Sequence, residues 1–280
     1  MTFSIVARSA DGESWGVAVA SKFLAVGAAV PAAVAGVGAI ATQADANVAY
    51  KGLALAHLDD GATASVALQR LLEEDEGREH RQVGIVDVDG NAASHTGTAC
   101  LDWAGSLTGA GYAIQGNILT GSEVVEAVEA AWLASPQDAA LAHRLLAALA
   151  AGDEAGGDSR GRQSAALLVV RDGAGYGGLD DIAVDLRVDD HATPIAELTR
   201  LLELNDLYLT ASTEEERVPV TPELEAELEE LARAAGARDL EAWVGTENYE
   251  MRVAPDGSWI DVRVLEILRA TRGGSGGASA

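Results

Sequence analysis

Cysteine, metal-binding motifs and aromatic side chains are scarce in this sequence. Cys100 is the only cysteine among 280 residues, so the chain can form no intrachain disulfide and has no CxxC-type metal cluster. The five histidines are scattered, and none belongs to an HExxH zinc motif. Since lone histidines are more often structural or exposed than ligands, we expect no metal and no other cofactor.

Positive charge is scarce as well. The chain has 19 basic and 44 acidic residues, a formal net charge of −25, and its only lysines are Lys22 and Lys51. Such a surface repels phosphate backbones and anionic headgroups, because nucleic-acid binding normally needs a basic footprint. We therefore expect a small-molecule partner, and neither nucleic acid nor a membrane. The acidic surface favours solubility, as in a salty cytoplasm.

One apolar run, residues 23–41, is nearly long enough to span a bilayer. It is interrupted by Pro31 and three glycines, and proline lacks the N–H that a helix interior needs. The pattern indicates buried extended segments that break near Pro31. The first residues lack a basic segment and Asp11 interrupts the early apolar residues, so we expect no signal peptide and a cytoplasmic location.

The order of strand and helix patterns predicts an α+β fold. Period-two patterns with Asp-Gly turns predict strands, and longer amphipathic segments predict helices. Strands are predicted at 3–8, 15–21, 36–43, 82–88, 91–96, 111–115, 163–170 and 182–188, and helices at 47–59, 62–74, 121–134, 137–151 and 194–209. Two sheets packed face to face with helix pairs outside bury every apolar face, which predicts a four-layer αββα sandwich.

The chain is predicted to contain a main domain at residues 1–210 and a linker at 211–219. A small helical domain follows at 220–271, where Thr221 and Pro222 mark a helix start and Asp239 and Asp261 are further caps. The glycine- and serine-rich segment 272–280 is predicted to be a flexible tail.

Thr2 is the candidate nucleophile. Methionine aminopeptidases remove Met1 when the second residue is small, which would leave Thr2 with a free α-amine of pKa about 7.7–8.0. This amine can accept the hydroxyl proton and activate Oγ1 for attack on a carbonyl. The alternative is an idle second residue, since Met-Thr starts are common.

Several separate blocks resemble a prokaryotic family, domain of unknown function 1028. The opening hairpin is also similar to that of proteasome β subunits, where a threonine starts the first strand. The blocks that carry the family resemblance are Thr2–Ala7, Gly16–Gly27, Gly36–Gln43, Gly77–Gly84, Gln115–Leu119, Gly157–Ala165, Gly177–Asp180 and Val188–His191. The resemblance covers about residues 1–210 and implies an N-terminal-nucleophile (Ntn) hydrolase fold without naming a substrate.

The sequence departs from the proteasome pattern at the third strand. The proteasome enzymes carry a catalytic lysine there, whereas residues 30–43 hold no charged side chain. The positive charge must then come from Lys22, Arg160 or Arg162, or the threonine is not activated in this way.

Further candidates surround the predicted nucleophile. Asn117 can stabilise an oxyanion through its amide, with a turn-supporting asparagine as the alternative. In the glycine-rich loop, Asp158 can orient the Thr2 amine and Ser164 can relay a proton. The candidate substrate-binding residues are Ser21, Lys22, Thr42, Gln43, Arg160, Arg162 and Gln163, of which the two arginines can grip a carboxylate. The alternative for this loop is a solvated connection with a structural Asp–Arg pair.

The C-terminal segments Leu240–Arg252 and Trp259–Arg269 resemble a peptidoglycan-binding-like module. Trp243, Tyr249 and Trp259 can stack on sugars, but a miniature helical core also requires aromatics, and we favour the core interpretation.

These observations predict a cytoplasmic Ntn amidohydrolase that cleaves a small amide or peptide-like bond. The alternatives are a non-catalytic ligand-binding or assembly protein with the same fold, and a glycan-binding protein acting through its C-terminal module. Because Ntn folds often associate through their outer helices, we also expect a homo-oligomer.

Overall fold

The computed structural model describes residues 2–271 and divides into two compact units at residues 202 and 203. The predicted tail at 272–280 lies outside the described residues. Within residues 2–271, no helix is both long enough and apolar enough to cross a membrane. The two units are described one at a time.

The first unit contains two β-sheets and several helices. Its strands are β1 (Thr2–Arg8), β2 (Ser14–Ser21), β3 (Pro31–Val34), β4 (Gly38–Ala44), β5 (Arg81–Asp87), β6 (Ala92–Thr96), β7 (Gly105–Gly109), β8 (Tyr112–Asn117), β9 (Ser164–Arg171) and β10 (Ile182–Val188). Its helices are α1 (Val26–Ala29), α2 (Ala49–Asp59), α3 (Ala64–Glu73), α4 (Glu123–Ala134), α5 (Leu141–Glu154) and the first part of α6 (Pro194–Tyr208). The expectation of a mixed helix-and-sheet fold is confirmed.

Sheet topology places β1 in the interior of a six-stranded sheet. The strand order is β10-β9-β2-β1-β8-β7, and β1 runs antiparallel to both of its neighbours. The second sheet has the order β3-β4-β5-β6. Since β1 is an interior strand, both of its backbone edges are hydrogen-bonded and its first residue is held in register.

Strands β3 and β7 were not predicted as separate strands, and the short helix α1 lies in a run predicted to be extended. The strand predicted at 36–43 is β4, and the preceding β3 pairs with it in a hairpin that turns at Gly36 with φ +70°. Glycine adopts this backbone conformation without a steric penalty. The alanine-rich run has no polar alternation to mark its turn. Strand β7 was not predicted, because its sequence Gly-Ser-Leu-Thr-Gly is poor in strand-forming residues and depends on pairing with β8.

Alternate residues of β1 point into different apolar clusters. Ile5 belongs to a cluster with α4, α5 and α6, whereas Val6 belongs to a cluster shared by the two sheets. A third cluster joins Ile40 of β4 to α2 and α3. The cluster between the sheets consists mainly of alanine and valine, so the two sheets pack closely. Successive side chains of β1 therefore face opposite sides of the sheet, as the period of two in a β-strand requires.

An acidic side chain anchors the start of β5. Arg81 donates from Nε to Asp75 Oδ2 at 2.8 Å, and the Tyr50 hydroxyl donates to the same oxygen at 2.7 Å. The Arg81 hydrogen bond, with help from Tyr50 and Asn47, holds the pKa of the Asp75 carboxyl well below its usual range. The side chains of Arg81 and Asp75 are 17% and 12% exposed, so this ion pair is largely buried.

We predict that Asp75→Asn lowers the free energy of unfolding by about 2 kcal/mol at pH 7, because Arg81 loses its charged acceptor. The folded-state pKa of Asp75 is lowered, so its contribution is present at neutral pH and is lost as the pH falls below the usual carboxyl range. Denaturation of both proteins between pH 7 and pH 3 measures the difference, which should shrink towards acid.

Glu13→Gln is the matched control, because its ion pair with Arg171 is about half exposed and should contribute less than about 0.5 kcal/mol. If Asp75→Asn destabilises the protein no more than Glu13→Gln does, the Asp75 cluster is not a stabilising anchor.

The second unit is a small helical body. It contains β11 (Arg217–Pro219), α7 (Pro222–Ala234), α8 (Leu240–Glu247), β12 (Trp259–Asp261) and α9 (Val262–Thr271). The predicted caps are confirmed at Thr221, which accepts from Leu224 N, and at Asp239, which accepts from Ala242 N. The antiparallel pair β11–β12 was not predicted from the sequence.

A buried ion pair holds together the segments that connect the helices and strands of this unit. Arg252 Nη1 lies 2.8 Å from Asp261 Oδ2, and both residues are almost fully buried. The Ser212 hydroxyl donates to Asp261 Oδ2, and Arg252 Nε donates to Leu207 O at 3.1 Å. These bonds tie residues 207–212 to the segment 252–261 and satisfy charges that would otherwise be costly to bury.

The aromatic residues of the second unit belong mainly to its core. Trp243 and Tyr249 are each 4% exposed, and their ring centroids are 5.3 Å apart. Trp259 is half-buried, and the Arg217 guanidinium lies 4.5 Å from its ring centroid. This burial favours the core interpretation for Trp243 and Tyr249 and leaves Trp259 as the accessible member of the three.

Candidate active site at the start of strand β1

Thr2 is the first residue of β1 and lies at one end of the six-stranded sheet. Its side chain is largely buried, and its Oγ1 is 3.1 Å from the hydroxyl oxygen of Ser21 at the end of β2. On the other side, the register places Thr2 opposite Asn117 at the end of β8. Thr2, Ser21 and Asn117, all predicted site residues, therefore lie together at one end of the six-stranded sheet.

The Thr2 carbonyl is held by two side-chain amides. Gln43 Nε2 donates to Thr2 O at 3.2 Å, and Asn117 Nδ2 donates to it at 3.4 Å. The same two nitrogens donate to Gln82 Oε1 at 2.8 Å and 2.9 Å. Both hydrogens of the Asn117 amide are thus used within the protein, so this side chain supports the backbone of Thr2 rather than presenting a donor to an oxyanion.

Gln82, Gln115 and Ser4 are not among the predicted site residues, yet they complete this network. Ser4 Oγ donates to Gln43 Oε1 at 2.7 Å, and Gln115 Nε2 donates to Ser4 Oγ at 2.6 Å. All of these side chains are essentially inaccessible to solvent. The available sequence signal was a polar amide inside an apolar strand, as in Arg-Gln-Val-Gly-Ile-Val and Tyr-Ala-Ile-Gln-Gly.

At this network, β5 of one sheet approaches β8 of the other closely. A Cβ added to Gly84 of β5 would lie 2.0 Å from Gln115 Oε1 of β8, so glycine is required for this approach. Gln82 also donates from Nε2 to Gly116 O at 2.7 Å. Side-chain amides therefore link β5 of one sheet to β8 of the other behind Thr2.

Backbone strain is concentrated next to the same residues. Ala44, directly after Gln43, has φ +67°, and Ile118, directly after Asn117, has φ +52°. Ala25 has φ +54° in the segment that follows β2. For a β-branched residue such as Ile118 this conformation is uncommon, and strained residues of this kind cluster at functional sites. This strain is an independent reason to treat the end of the sheet around Thr2 as the candidate site.

Asp158 of the glycine-rich loop orders two backbone segments near Thr2. It is buried, and its Oδ2 accepts from Lys22 N at 2.7 Å while its Oδ1 accepts from Arg160 N at 2.9 Å. The Arg160 guanidinium lies 3.4 Å from Asp158 Oδ2, and its side chain is 45% exposed. Asp158 therefore positions the residue after Ser21, and Arg160 stays accessible to solvent.

Other predicted substrate-binding residues are held elsewhere. Arg162 Nε lies 2.7 Å from Asp153 Oδ1, and this hydrogen bond raises the pKa of the arginine further. Lys22 Nζ donates to Arg162 O at 3.3 Å, and Gln163 Nε2 donates to Asp190 Oδ1 at 3.0 Å. These contacts support the loop itself.

Ser164 and Thr42 are buried and bonded to backbone groups. Ser164 Oγ accepts from Val26 N at 3.1 Å and donates to Phe23 O. Thr42 Oγ1 donates to Asn47 O at 3.3 Å, at the start of α2. In these contacts Ser164 fixes the segment after β2 and Thr42 braces the segment after β4.

Within residues 2–271, no group of three or more histidine, cysteine or acidic side chains is arranged to hold a metal ion. Cys100 is half-buried, its thiol donates to Arg81 O at 3.4 Å, and burial raises the pKa of the thiol. Cys100 thus has the properties of an unreactive structural thiol.

Comparison with protein families agrees with the resemblance noted in the sequence. The model described as "Family of unknown function (DUF1028)" matches residues 2–198. The chain belongs to the DUF1028 family. A crystal structure of a DUF1028 protein from Silicibacter pomeroyi has 31% sequence identity and a TM-score of 0.66, covering 86% of this chain and 96% of that one.

The second unit matches a different model, described as "Putative peptidoglycan binding domain", at residues 224–268. Anbu (ancestral beta-subunit) from Yersinia bercovieri is a remote structural match, with 9% identity, a TM-score of 0.33 and coverage of 72% of this chain and 94% of that chain. None of the curated proteins compared matches this DUF1028 protein.

We predict that Gln82→Leu lowers the free energy of unfolding by about 3 kcal/mol, because the Gln43 and Asn117 amides and the Gly116 carbonyl each lose a buried partner. Denaturant unfolding measures the change. Gln69→Leu on α3 removes an exposed hydrogen bond to Glu73 and should change stability by less than about 0.5 kcal/mol. Equal effects of the two substitutions would mean that the buried amides do not stabilise the structure around Thr2.

Proposed function

We propose that this protein is an Ntn amidohydrolase in which Thr2, once Met1 is removed, attacks a small amide or peptide-like carbonyl. The observation that carries the proposal is the position of the Thr2 hydroxyl. It lies 3.1 Å from Ser21 Oγ, on an interior strand, with its own carbonyl braced by two buried amides. A nucleophile held in this way needs little reorganisation before attack.

The packing of the first unit supports the finer fold assignment. One apolar cluster lies between the two sheets, a second joins the six-stranded sheet to α4 and α5, and a third joins the four-stranded sheet to α2 and α3. This packing supports the proposed four-layer αββα sandwich of the Ntn-hydrolase type, with the nucleophile at the end of an interior strand.

The proposed reaction proceeds through an ester. The α-amine of Thr2 accepts the Oγ1 proton, directly or through a water, as Oγ1 bonds to the substrate carbonyl carbon. The tetrahedral intermediate then expels the leaving amine, which takes the proton from the α-ammonium group. Water attacks the resulting ester, releases the carboxylic acid and restores the threonine hydroxyl.

The neighbouring residues act mainly as positioning groups in this proposal. Ser21 orients the Thr2 hydroxyl, and Asn117 and Gln43 fix the Thr2 backbone. Asp158 orders the Lys22 backbone beside Ser21 and takes no proton. Arg160 is the proposed substrate-binding cation, because its side chain is 45% exposed and its pair with Asp158, at 3.4 Å, is longer than the 2.7 Å pair of Arg162 with Asp153.

We predict that a β-lactone probe, which acylates N-terminal threonines, labels the untagged protein at Thr2. Thr2→Ala should abolish labelling and slow any hydrolysis at least about a thousand-fold, while Thr2→Ser should retain both, since serine also supplies a hydroxyl. Intact mass and peptide mapping by mass spectrometry measure the loss of Met1 and the position of the label. The labelling rate should rise with pH and level off above about pH 8, as the α-amine loses its proton.

Thr199→Ala is the matched control, because Thr199 is a threonine of α6, outside the candidate site, whose Oγ1 donates to Ile195 O at 3.0 Å. It should be labelled as the parent protein is. Retention of Met1 in the native host, or labelling of Thr2→Ala at the parent rate, would contradict the nucleophile proposal and favour a non-catalytic ligand-binding protein.

The match of residues 224–268 supports a second, independent function, the binding of cell-wall glycan by the second unit. Trp259 is its proposed contact, because Trp243 and Tyr249 are buried in the core and cannot offer a ring face to a sugar.

We predict that the full chain co-sediments with purified peptidoglycan and that Trp259→Ala reduces the retained fraction about ten-fold or more, since a sugar stacked on the ring would lose its platform. Tyr176→Ala is the control, because Tyr176 is 80% exposed in the first unit and should have no effect. Absence of co-sedimentation, or equal retention of the two variants, would rule out this role for Trp259.

A further inference from the structure

A cavity of about 340 Å³ lies at the opposite end of β1 from Thr2. Thr2 and Arg8 are the two ends of the seven-residue strand β1, about 20 Å apart, so the cavity is distinct from the candidate active site. The remaining lining comes from the turns at Gly90 and Gly111 and from the ends of α4 and α5. Its volume falls at the lower end of the range for small-ligand pockets.

Arg144 of α5 is the buried cation of this cavity. It is only 6% exposed, and its guanidinium carbon lies 3.9 Å from the ring centroid of Trp132, which orients the planar group. Its Nε donates to Ser135 Oγ at 2.9 Å and one Nη donates to Trp132 O at 3.4 Å. Both acceptors are uncharged, and burial lowers the pKa of the guanidinium.

Arg8 is the second cation of the cavity. Its guanidinium carbon lies 5.6 Å from the ring centroid of Trp15, and its buried Nε has no hydrogen-bond partner among residues 2–271. A buried donor without a partner is costly in a folded protein, so the terminal nitrogens of Arg8, rather than its Nε, are the groups offered to a ligand in the cavity.

Among the described residues, Arg8 and Arg144 lack an ion pair with a carboxylate, which is unusual for an arginine of this chain. Most of its arginines pair with a carboxylate, as Arg81 does with Asp75 and Arg252 with Asp261. Within the described chain, neither Arg8 nor Arg144 forms such a pair, although acidic residues outnumber basic ones by 44 to 19. The one carboxylate that lines the cavity, Asp89, is exposed and forms no ion pair with them.

We propose that this cavity binds the oxyanion group, phosphate or carboxylate, of a small metabolite between Arg8 and Arg144. The planar guanidinium forks suit two-point contacts with an oxyanion. The glycine backbones at 90 and 111 leave room for the rest of the ligand, and Gln137 adds an uncharged polar side chain.

The test is binding of inorganic phosphate, and in parallel of succinate, to the full untagged chain by calorimetry at a fixed ionic strength set with chloride. Saturable binding of one probe identifies the class of oxyanion. Arg8→Gln should weaken that binding about ten-fold or more, as expected for the loss of a charge-assisted hydrogen bond, and Arg144→Lys should weaken it as well. Arg200→Gln is the matched control, because Arg200 is exposed and paired with Glu197.

Circular dichroism of each variant checks that it is folded. If Arg8→Gln does not fold, Arg8→Lys replaces it, since lysine keeps the charge and loses the two-point fork. Thr2→Ala should bind the probe like the parent protein, which separates this cavity from the proposed nucleophile. No saturable binding of either probe to the parent protein, or unchanged binding in a folded Arg8 variant, would overturn the proposal.

Discussion

The Thr2 carbonyl accepts hydrogen bonds from the Gln43 and Asn117 amides, and the candidate site depends on this arrangement. Gln43 belongs to one sheet and Asn117 to the other, so the bonds also hold the sheets in register behind Thr2. Buried amides are costly unless all their hydrogen-bonding groups are satisfied. Here Gln82 Oε1 accepts from both donors, so the Gln43 and Asn117 amides brace the site, although Gln115 Oε1 in the same network has no partner among residues 2–271.

The brace is built from uncharged groups, and this has a chemical consequence. A buried cation at Gln43 or Gln82 would need a buried counter-ion, which is difficult to provide between closely packed sheets. The chain uses amides at these positions and places its charges in the loop around Asp158 and Arg160. A threonine nucleophile at this edge would therefore depend on its own α-amine as the base, because no lysine lies in the strand that carries Gln43.

Much of the fold was predictable from local pattern, whereas the bracing of the site was not. The hairpin of β1 and β2 follows from alternating apolar residues around Asp11-Gly12, and the helices α4 and α5 from their apolar periodicity. Gln82 meets its partners across 34 to 39 residues of sequence, and nothing in the sequence around Gln82 indicates which amides it will contact. Ser164 and Thr42 were predicted as site residues from their position, but tertiary packing gives their hydroxyls backbone partners.

The net charge of the chain affects which anions can approach the protein. A net charge of −25 repels a polyanion along its whole length, whereas a compact anion inside a cavity is governed by groups within a Debye length of about 8 Å. Arg8 and Arg144 are such groups: a tryptophan ring lies near each guanidinium, and neither forms an ion pair with a carboxylate among residues 2–271. The acidic surface would repel nucleic acid and anionic membranes, whereas the proposed cavity would still admit one small anion, because the two guanidinium groups that line it would act on the anion at short range.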